Sequence, residues 1–566
     1  MTRALITAAL LALLCGPSVH AATRAPQNAI VAENARTGTT AWQRSLFDGI
    51  ELYGTTITAA PGDAIEFHVS TAFRYRIVVY RLGWYSGAGA RQVACLPSCS
   101  GDEQGRVQTG ADPPTVEPAR ANWPVTDLLR TDPRWTSGYY LVEAVVTNGS
   151  DAGRVGTTYF ILHAPPTAPS SQILVQVPVN TWEAYNAWGG KSLYNFGMPR
   201  AYRVSFERPF DHQAGTPLWW EIQLVRFLER EGYDVSYQTD IDSSRDPTTL
   251  LQHRLVMVAG HDEYWTMEMR NGFERAVTLG TNLAFMGSND AYWHMRYEDG
   301  GQTIFTYKSM YDPNPDPTQK TAMFREIGRP ECLLEGVQHA DIRALDHALD
   351  YTVTTAGAAD PWLVGTGFKA GDRIAGVVGR EHDTLTGFPG CVHPGGVVLF
   401  HYDGAGVDLN ADAVRFTAPS GARVFASGAQ EFSWALDGWR STDTLAPPVP
   451  VGTDRSAPPD PRVQQFMRNA LDDLTRPGAP LVVHKVRVPG GVRVRTGRPK
   501  DPRVVGRLVY RVRDGDAPIL VCRGRTPCLV PRATQPGTYR FEAKYVDVWG
   551  RTSAPTFSTP WTLPHG

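Results

Sequence analysis

The sequence predicts a multidomain protein that combines an α/β fold with all-β domains. At 566 residues the chain exceeds one compact core, because domains usually hold roughly 100 to 200 residues. Alternating hydrophobic runs near both ends are typical of β-sandwiches, whereas the middle alternates buried strands with helices. We therefore expect an N-terminal β-sandwich, a central parallel α/β domain of the flavodoxin or glutamine-amidotransferase type, and a C-terminal immunoglobulin- or fibronectin-like β-sandwich.

A secretory signal peptide is predicted at residues 1–22. An apolar run from Ala4 to Cys15 is followed by small residues up to Ala22, where a signal peptidase would cut. Lipid anchoring is not expected, because Leu14 precedes Cys15 and a lipoprotein signal needs a small residue there. No later apolar run approaches the ~20 residues that span a bilayer. The expected location is periplasmic or secreted.

The N-terminal β-sandwich is predicted for residues 23–165. Its strands are short alternating runs bounded by turn residues: Ile50–Tyr53, Ala64–Ser70, Tyr75–Gly83, Gly138–Thr147 and Thr157–His163. The aromatic stretch from Tyr80 to Tyr85 has two interpretations, a sugar-binding surface or the sandwich core, and strand aromatics usually fill a core. A Pro-rich linker at 164–170 ends this module.

The central α/β domain is predicted for residues 171–440. Its strands and helices are Ile173–Pro178, Pro217–Glu231, Tyr233–Tyr237, Leu255–Ala259, Met267–Leu279 and Asn282–Met286, with less regular strands at Ala375–Val378 and Gly396–His401. Strands that alternate with helices form a parallel sheet, and such sheets bind ligands beyond the carboxyl ends of their strands. A Pro-rich linker and strap at 441–477 then leads to the C-terminal sandwich at 478–566.

Composition and cysteines restrict the functional classes. Lys plus Arg total 55 and Asp plus Glu total 57, so no charge excess attracts nucleic acid, and no nucleic-acid partner is expected. Without Cys15 six cysteines remain, and in an oxidising compartment we expect local disulfides, although other connectivities are formally available. The expected pairs are Cys95 with Cys99, Cys332 with Cys391 and Cys522 with Cys528. A cysteine nucleophile or zinc cluster is disfavoured because no CxxC pair occurs.

Three polar and aromatic segments follow predicted strands of the middle domain. They are Thr181–Asn195, Gly260–Trp265 and Gly287–Asp290. Neighbouring strand ends would bring together Tyr, Glu, His and Asn side chains, which supply hard oxygen donors and an acid or base. The alternative is structural: Asp262 and Thr266 would serve as turn and N-cap residues, and the tyrosines would belong to the core.

Val177–Asn186, Gly260–Trp265 and Gly287–Asn289 resemble the catalytic domain of the large (beta) subunit of N,N-dimethylformamidase. The resemblance covers roughly Ser171 to Leu436, about half of the chain, and a preceding β-sandwich agrees with it. It implies a mononuclear iron, held by two tyrosinates and a glutamate, that hydrolyses a small formamide to formate and an amine.

By this resemblance Tyr185, Tyr194 and Glu263 are the expected iron ligands, with Tyr202 competing for the role of Tyr194. Phenolate and carboxylate are hard donors that favour Fe(III) over zinc and leave positions for water and substrate.

The resemblance also assigns four polar side chains around the iron. His261 is a neighbouring group, Asn289 lines the site, and Lys308 and Glu381 match further pocket positions, although both also fit surface charges in loops. His261, Lys308 or Glu381 would move a proton to the leaving amine.

The favoured hypothesis is an exported iron-dependent amide hydrolase. An exported protein meets cell-envelope amides rather than solvents, so the substrate is expected to be a small amide other than dimethylformamide. Two rivals stay open: a non-catalytic glycan- or cell-wall-binding protein with a degenerate α/β scaffold, and a hydrolase that uses His261 and Glu263 with another metal or water alone. A small-subunit partner is not assumed, and a homo-oligomer remains open.

Overall fold

The structure is a computed structural model. It describes residues 28–113, 115–165, 170–195, 199–211, 217–339, 349–379, 381–385, 390–404, 409–440, 458–480, 482–524, 527–531, 533 and 535–563. The predicted signal peptide and residues 441–457 of the predicted linker lie outside these ranges. No helix among the described residues is both long and apolar enough to cross a bilayer.

Two β-sheets make up the N-terminal module. After helix α1 (Ala29–Asn34) its strands are β1 (Ile50–Gly54), β2 (Thr58–Ala59), β3 (Ala64–Thr71), β4 (Arg74–Leu82), β5 (Ala90–Leu96), β6 (Glu103–Gln104), β7 (Asp127–Arg130), β8 (Gly138–Val146) and β9 (Val155–Leu162). One sheet has the order β1-β3-β7 and the other β2-β9-β8-β4-β5, with β6 on β4. A shared core that includes Leu52, Phe67 and Val142 joins the two sheets.

The larger of these sheets is buried on both faces. Every residue of β8 and β9 is buried, because the face away from β1-β3-β7 packs on the middle module. Tyr139 of β8 donates a hydrogen bond to Glu221 (2.9 Å) and packs edge-on against Tyr237 (5.5 Å between ring centroids). Tyr80 and Tyr85 are also buried, so the core interpretation of that aromatic stretch is correct and the sugar-binding one is wrong for these two rings.

The middle module has sixteen described strands and seven helices. The strands are β10 (Ile173–Val177), β11 (Arg203–Ser205), β12 (Val235–Thr239), β13 (Leu255–Val258), β14 (Tyr264–Trp265), β15 (Asn282–Phe285), β16 (Trp293–His294), β17 (Arg296–Glu298), β18 (Thr303–Phe305), β19 (Gln338–His339), β20 (Leu349–Val353), β21 (Arg373–Val378), β22 (Asp383–Thr384), β23 (Val397–Tyr402), β24 (Ala411–Thr417) and β25 (Arg423–Ala426). The helices are α2 (Val179–Tyr185), α3 (Pro217–Trp220), α4 (Ile222–Arg230), α5 (Asp240–Arg245), α6 (Met267–Thr278), α7 (Cys332–Glu335) and α8 (Thr355–Ala358).

A nine-stranded sheet of order β12-β10-β13-β15-β25-β24-β23-β20-β21 forms its centre. The first five strands are parallel, and in chain order their arrangement is 2-1-3-4-5, the order of flavodoxin-like sheets. The prediction of a parallel sheet is therefore correct for this half. The other four strands pair antiparallel with their neighbours in the sheet.

Helix α9 (Pro461–Leu474) lies within the stretch predicted as linker and strap. Asp460 caps its first turn, and Pro461 occupies a position where a helix needs no backbone N–H. Val463, Phe466 and Leu474 on its apolar face are buried, and Phe466 packs against Phe425 of β25 (5.8 Å). Apolar residues at helical spacing account for this helix after the Pro-rich segment.

The C-terminal module again has two antiparallel sheets. Its strands are β26 (Val483–Val488), β27 (Gly491–Thr496), β28 (Val504–Arg513), β29 (Ile519–Arg523), β30 (Cys528–Pro531), β31 (Gly537–Asp547), β32 (Thr556–Phe557) and β33 (Trp561–Leu563). One sheet is β26-β27-β30, and the other is β29-β28-β31-β32 with β33 on β31. Arg254, beside β13, forms buried ion pairs with Asp501 and Asp547 and so fixes this module to the middle sheet.

The six described cysteines pair as the sequence analysis expected. Cα–Cα separations are 5.0 Å for Cys95–Cys99, 5.2 Å for Cys332–Cys391 and 6.0 Å for Cys522–Cys528. All three lie in the range that a disulfide requires.

Candidate active site

The predicted site residues meet at the carboxyl ends of β10, β13 and β15. Tyr185 is the last residue of α2, which follows β10, and His261 and Glu263 follow β13. Asn289 follows β15 with a left-handed φ of 55°. Strands β10 and β13 are neighbours on either side of the point where the strand order reverses, which is where open α/β sheets form their binding crevice.

Three oxygen donors converge in this crevice. The Tyr194 hydroxyl donates a hydrogen bond to Oε2 of Glu263. The rings of Tyr185 and Tyr194 stack with centroids 4.2 Å apart, and Oη of Tyr185 lies 3.4 Å from Nε2 of His261. The backbone N–H of Glu263 donates to Oγ1 of Thr181 (2.9 Å), so α2 also holds the glutamate in place.

His261 stands between two carboxylates. Its Nδ1 donates to the Ser288 carbonyl (2.9 Å), and its Nε2 lies 3.5 Å from Oε2 of Glu263 and 3.3 Å from Oε2 of Glu381. Burial alone would lower the pKa of this imidazole, but the charge of Glu381 and the hydrogen bond to Glu263 outweigh it and raise the pKa to about 10. His261 is therefore expected to be an imidazolium at neutral pH.

Glu381 reaches the site from the segment 381–385. Nδ2 of Asn289 donates to Oε2 of Glu381 (2.8 Å), while the backbone N–H of Asn289 donates to Oδ1 of Asp383 (2.9 Å). A third hydrogen bond holds this segment, because the Ser288 hydroxyl donates to the Glu381 carbonyl (2.7 Å). The side chain of Glu381 is only 11% exposed, so it is not a loose surface charge.

Lys308 contacts two tyrosines of the cluster. Its Nζ donates to the hydroxyl of Tyr264 (2.7 Å) and lies 3.7 Å from the ring centroid of Tyr194. Burial lowers the pKa of this ammonium to about 8, against the opposing charge of Glu263. Lys308 is thus part of the cluster rather than a surface charge. Tyr264 also contributes a polar atom, because its hydroxyl accepts this hydrogen bond from Lys308.

Burial and charge together set the protonation of the three donors. Burial, then the charges of the neighbouring acids, raise the pKa values of Tyr185 and Tyr194 well above the usual phenol value. Burial opposes ionisation of Glu263 as well, but the hydrogen bond from His261 and the charge of Lys308 lower its pKa. The cluster therefore holds neutral phenols beside an ionised glutamate.

Tyr202, the competing second tyrosine, lies elsewhere. Its side chain is 39% exposed and packs against Tyr307, with ring centroids 4.7 Å apart. The geometry thus brings Tyr194, and not Tyr202, to Glu263.

Two features of the site had no clear sequence signal. Asp262 is buried beneath the crevice and accepts a hydrogen bond from Gln176 (2.8 Å), although its motif indicated only a turn. Trp220 lies beside His261 with ring centroids 6.1 Å apart, whereas the sequence placed it only within the predicted helix Pro217–Glu231. Thr266, by contrast, caps α6 as expected, accepting from the N–H of Met269.

A family model described as N,N-dimethylformamidase beta subunit-like, C-terminal, matches residues 76–444, about two thirds of the chain. The chain belongs to this N,N-dimethylformamidase beta subunit-like family. The match begins within β4, so the family region includes much of the N-terminal sandwich as well as the middle sheet. It is thus wider than the region from Ser171 to Leu436 on which the resemblance was based. No curated protein matches the chain.

Proposed function

We propose that this N,N-dimethylformamidase beta subunit-like protein is an exported, iron-dependent hydrolase of an amide C–N bond, with a natural substrate other than dimethylformamide. The observation that supports the proposal most is the convergence of Tyr185, Tyr194 and Glu263 in the crevice of the parallel sheet. Membership of the family supplies the reaction class.

The donor set fits a ferric ion. Among the residues that the structure describes, no three His, Cys, Asp or Glu side chains are arranged to hold a metal, so an ion here needs phenol oxygens. Tyr185, Tyr194 and Glu263 would hold it, and three hard anionic oxygens match Fe(III) in both donor type and charge. Burial, and after it the charges of neighbouring acids, disfavour the phenolates when no ion is bound, and a cation held between the phenol oxygens would favour them.

When bound, the ion would polarise the amide carbonyl and lower the pKa of a bound water. The side chains of the protein would contribute the proton that the departing amine needs. His261 carries one on Nε2, fixed in direction by the Ser288 carbonyl behind it and by the carboxylates of Glu263 and Glu381 in front. The cleavage needs a proton on the departing nitrogen, which His261 is placed to deliver, and Glu381 would take a proton from the attacking water and return it to His261.

Export is supported by the predicted signal peptide and by the three cysteine pairs at disulfide distance. In that compartment the available amides belong to peptides and to the cell envelope. A substrate from this set therefore agrees with the location better than an industrial solvent.

Metal analysis of wild-type protein purified from the periplasm tests the proposal. We expect about one iron per chain and a visible tyrosinate-to-iron absorption band, both lost in Tyr185→Phe and in Glu263→Gln. Tyr202→Phe is the matched control, because that tyrosine is exposed and packs against Tyr307, and it should keep both signals. Colourless wild-type protein without iron would refute iron dependence.

A further inference from the structure

The C-terminal module is strongly basic, although the whole chain has almost no net charge. Residues 478–566 hold 16 Lys and Arg but only five Asp and Glu, whereas residues 1–477 hold 39 Lys and Arg and 52 Asp and Glu. The module therefore has a formal charge of +11, beside −13 for the rest of the chain. A domain with such an excess of one sign attracts partners of the opposite sign.

The acids of the module leave most of this positive charge unopposed. Four of the five are already in ion pairs: Asp501 and Asp547 with Arg254 of the middle module, Asp516 with Arg513, and Glu542 with Lys544. Within the described parts of the chain, five exposed arginines of this module have no carboxylate at ion-pair distance. They are Arg487, Arg493, Arg495, Arg523 and Arg540.

The outer face of the β26-β27-β30 sheet combines two of these arginines with apolar side chains. Directly opposed residues of antiparallel strands point to the same face, and the registers pair His484 with Arg495, and Arg493 with both Val486 and Leu529. All five side chains are exposed, Val486 by 53% and Leu529 by 59%. Residues that alternate with them along the strands form the core of the module. We call these five residues the arginine face; none of them is acidic.

We propose that the arginine face binds the surface of a bilayer that contains anionic phospholipids. Guanidinium groups bind phosphate oxygens through paired hydrogen bonds, and Val486 and Leu529 between them can enter the boundary between headgroups and acyl chains. Nucleic acids are the alternative polyanion, but proteins that hold them on a sheet use exposed aromatic rings as stacking platforms, and the apolar residues here are aliphatic. The predicted signal peptide would bring the chain across a bilayer, which supplies such a surface.

The arginine face is separate from the candidate active site. The module is fixed to the middle sheet at Arg254, directly before β13, and at Ser170, before β10, whose carbonyl accepts from the indole N–H of Trp549 (3.1 Å). It therefore lies at the amino ends of the parallel strands, whereas the crevice lies at their carboxyl ends. Membrane binding does not depend on the proposed hydrolase activity, and each is tested without the other.

Co-sedimentation with lipid vesicles tests the proposal, using the full chain without its predicted signal peptide, because that segment could itself insert into lipid. The comparison is between vesicles of phosphatidylcholine alone and vesicles that also contain about 30% phosphatidylglycerol. We expect at least about tenfold tighter binding to the anionic vesicles at low salt, and a loss of this preference at high salt, which screens the charges. Equal binding to the two kinds of vesicle would overturn the proposal.

The double variant Arg493→Gln with Arg495→Gln removes two charges from the arginine face. Each basic side chain near an anionic bilayer contributes about fivefold in affinity, so this variant should bind the anionic vesicles about 25-fold more weakly. Arg523→Gln with Arg540→Gln is the matched control, because it removes the same charge from exposed positions on β29 and β31 of the other sheet. The control should lose less than about threefold. An equal loss in both double variants would show that net charge, and not this face, is responsible, which would overturn the assignment.

Leu529→Ser distinguishes a bilayer from a soluble polyanion, because it keeps every charge and removes an apolar side chain. It should weaken binding to anionic vesicles about three- to tenfold and leave binding to duplex DNA, the soluble probe, unchanged. Tighter wild-type binding to DNA than to anionic vesicles, with no effect of Leu529→Ser on either, would overturn the proposal in favour of a soluble polyanion. Urea unfolding checks that all variants fold like the wild type, as expected for exposed side chains.

Discussion

Loading the metal-free protein with ferric iron should release about two to three protons per ion near pH 7. In the metal-free cluster the carboxylates of Glu263 and Glu381 face the cations of His261 and Lys308, and both phenols are neutral. A trivalent ion bound by two phenolates displaces two protons and leaves one excess positive charge. Loss of the His261 proton as well would cancel that excess charge. The upper value for the number of released protons is therefore about three.

Isothermal titration calorimetry with ferric nitrilotriacetate measures this number, from the dependence of the observed enthalpy on the ionisation enthalpy of the buffer, after the proton that the amine of the released nitrilotriacetate takes up has been added back. Tyr185→Phe should bind more weakly and release about one proton fewer, whereas Tyr202→Phe should match the wild type. Release of less than one proton by the wild type, or an unchanged number in Tyr185→Phe, would show that the tyrosines are not ligands.

Two further predictions concern stability. Replacing Glu229 by Ala should lower the free energy of unfolding by about 3 to 5 kcal/mol, because it leaves Arg81 charged and fully buried without its 2.7 Å ion-pair partner. Urea unfolding measures the loss, and a change below about 1 kcal/mol would contradict the role of this pair. Burial lowers the pKa of His253 from 6.5 to about 4, so between these values the unfolded chain binds a proton that the folded chain does not. Stability should therefore fall by about 3 kcal/mol as pH drops from 6.5 to 4, and His253→Gln should remove this part of the slope; the same pH dependence in that variant would assign it to other groups.

Sequence alone predicted the features that depend on periodicity and order along the chain. Buried strands separated by amphipathic helices predicted β10, β12, β13 and β15 because each such run has one way to bury its apolar residues. The meeting of Tyr185, Glu263 and Asn289 followed from a general property of parallel sheets, that their strands end at the same edge.

Features that depend on long-range contacts were not predictable. For the antiparallel half of the sheet the sequence indicated only less regular strands at Ala375–Val378 and Gly396–His401, because the apolar pattern of a strand does not specify its pairing direction. The helical spacing of Trp220 did not reveal that its ring lies beside His261. A ring that lines a crevice and a ring in the core have the same sequence pattern. The resemblance left Tyr194 and Tyr202 as competing ligands, because the loop that turns Tyr194 inward has no periodic signal.

The sandwich sheet that is buried on both faces makes the N-terminal module a packing partner of the middle module rather than an appendage. Cutting the chain at 164–170 would expose Tyr139 and break the pairing of Arg81 with Glu229, leaving a charged group and a wide apolar surface in water. Truncation to the α/β module alone is therefore expected to destabilise that module.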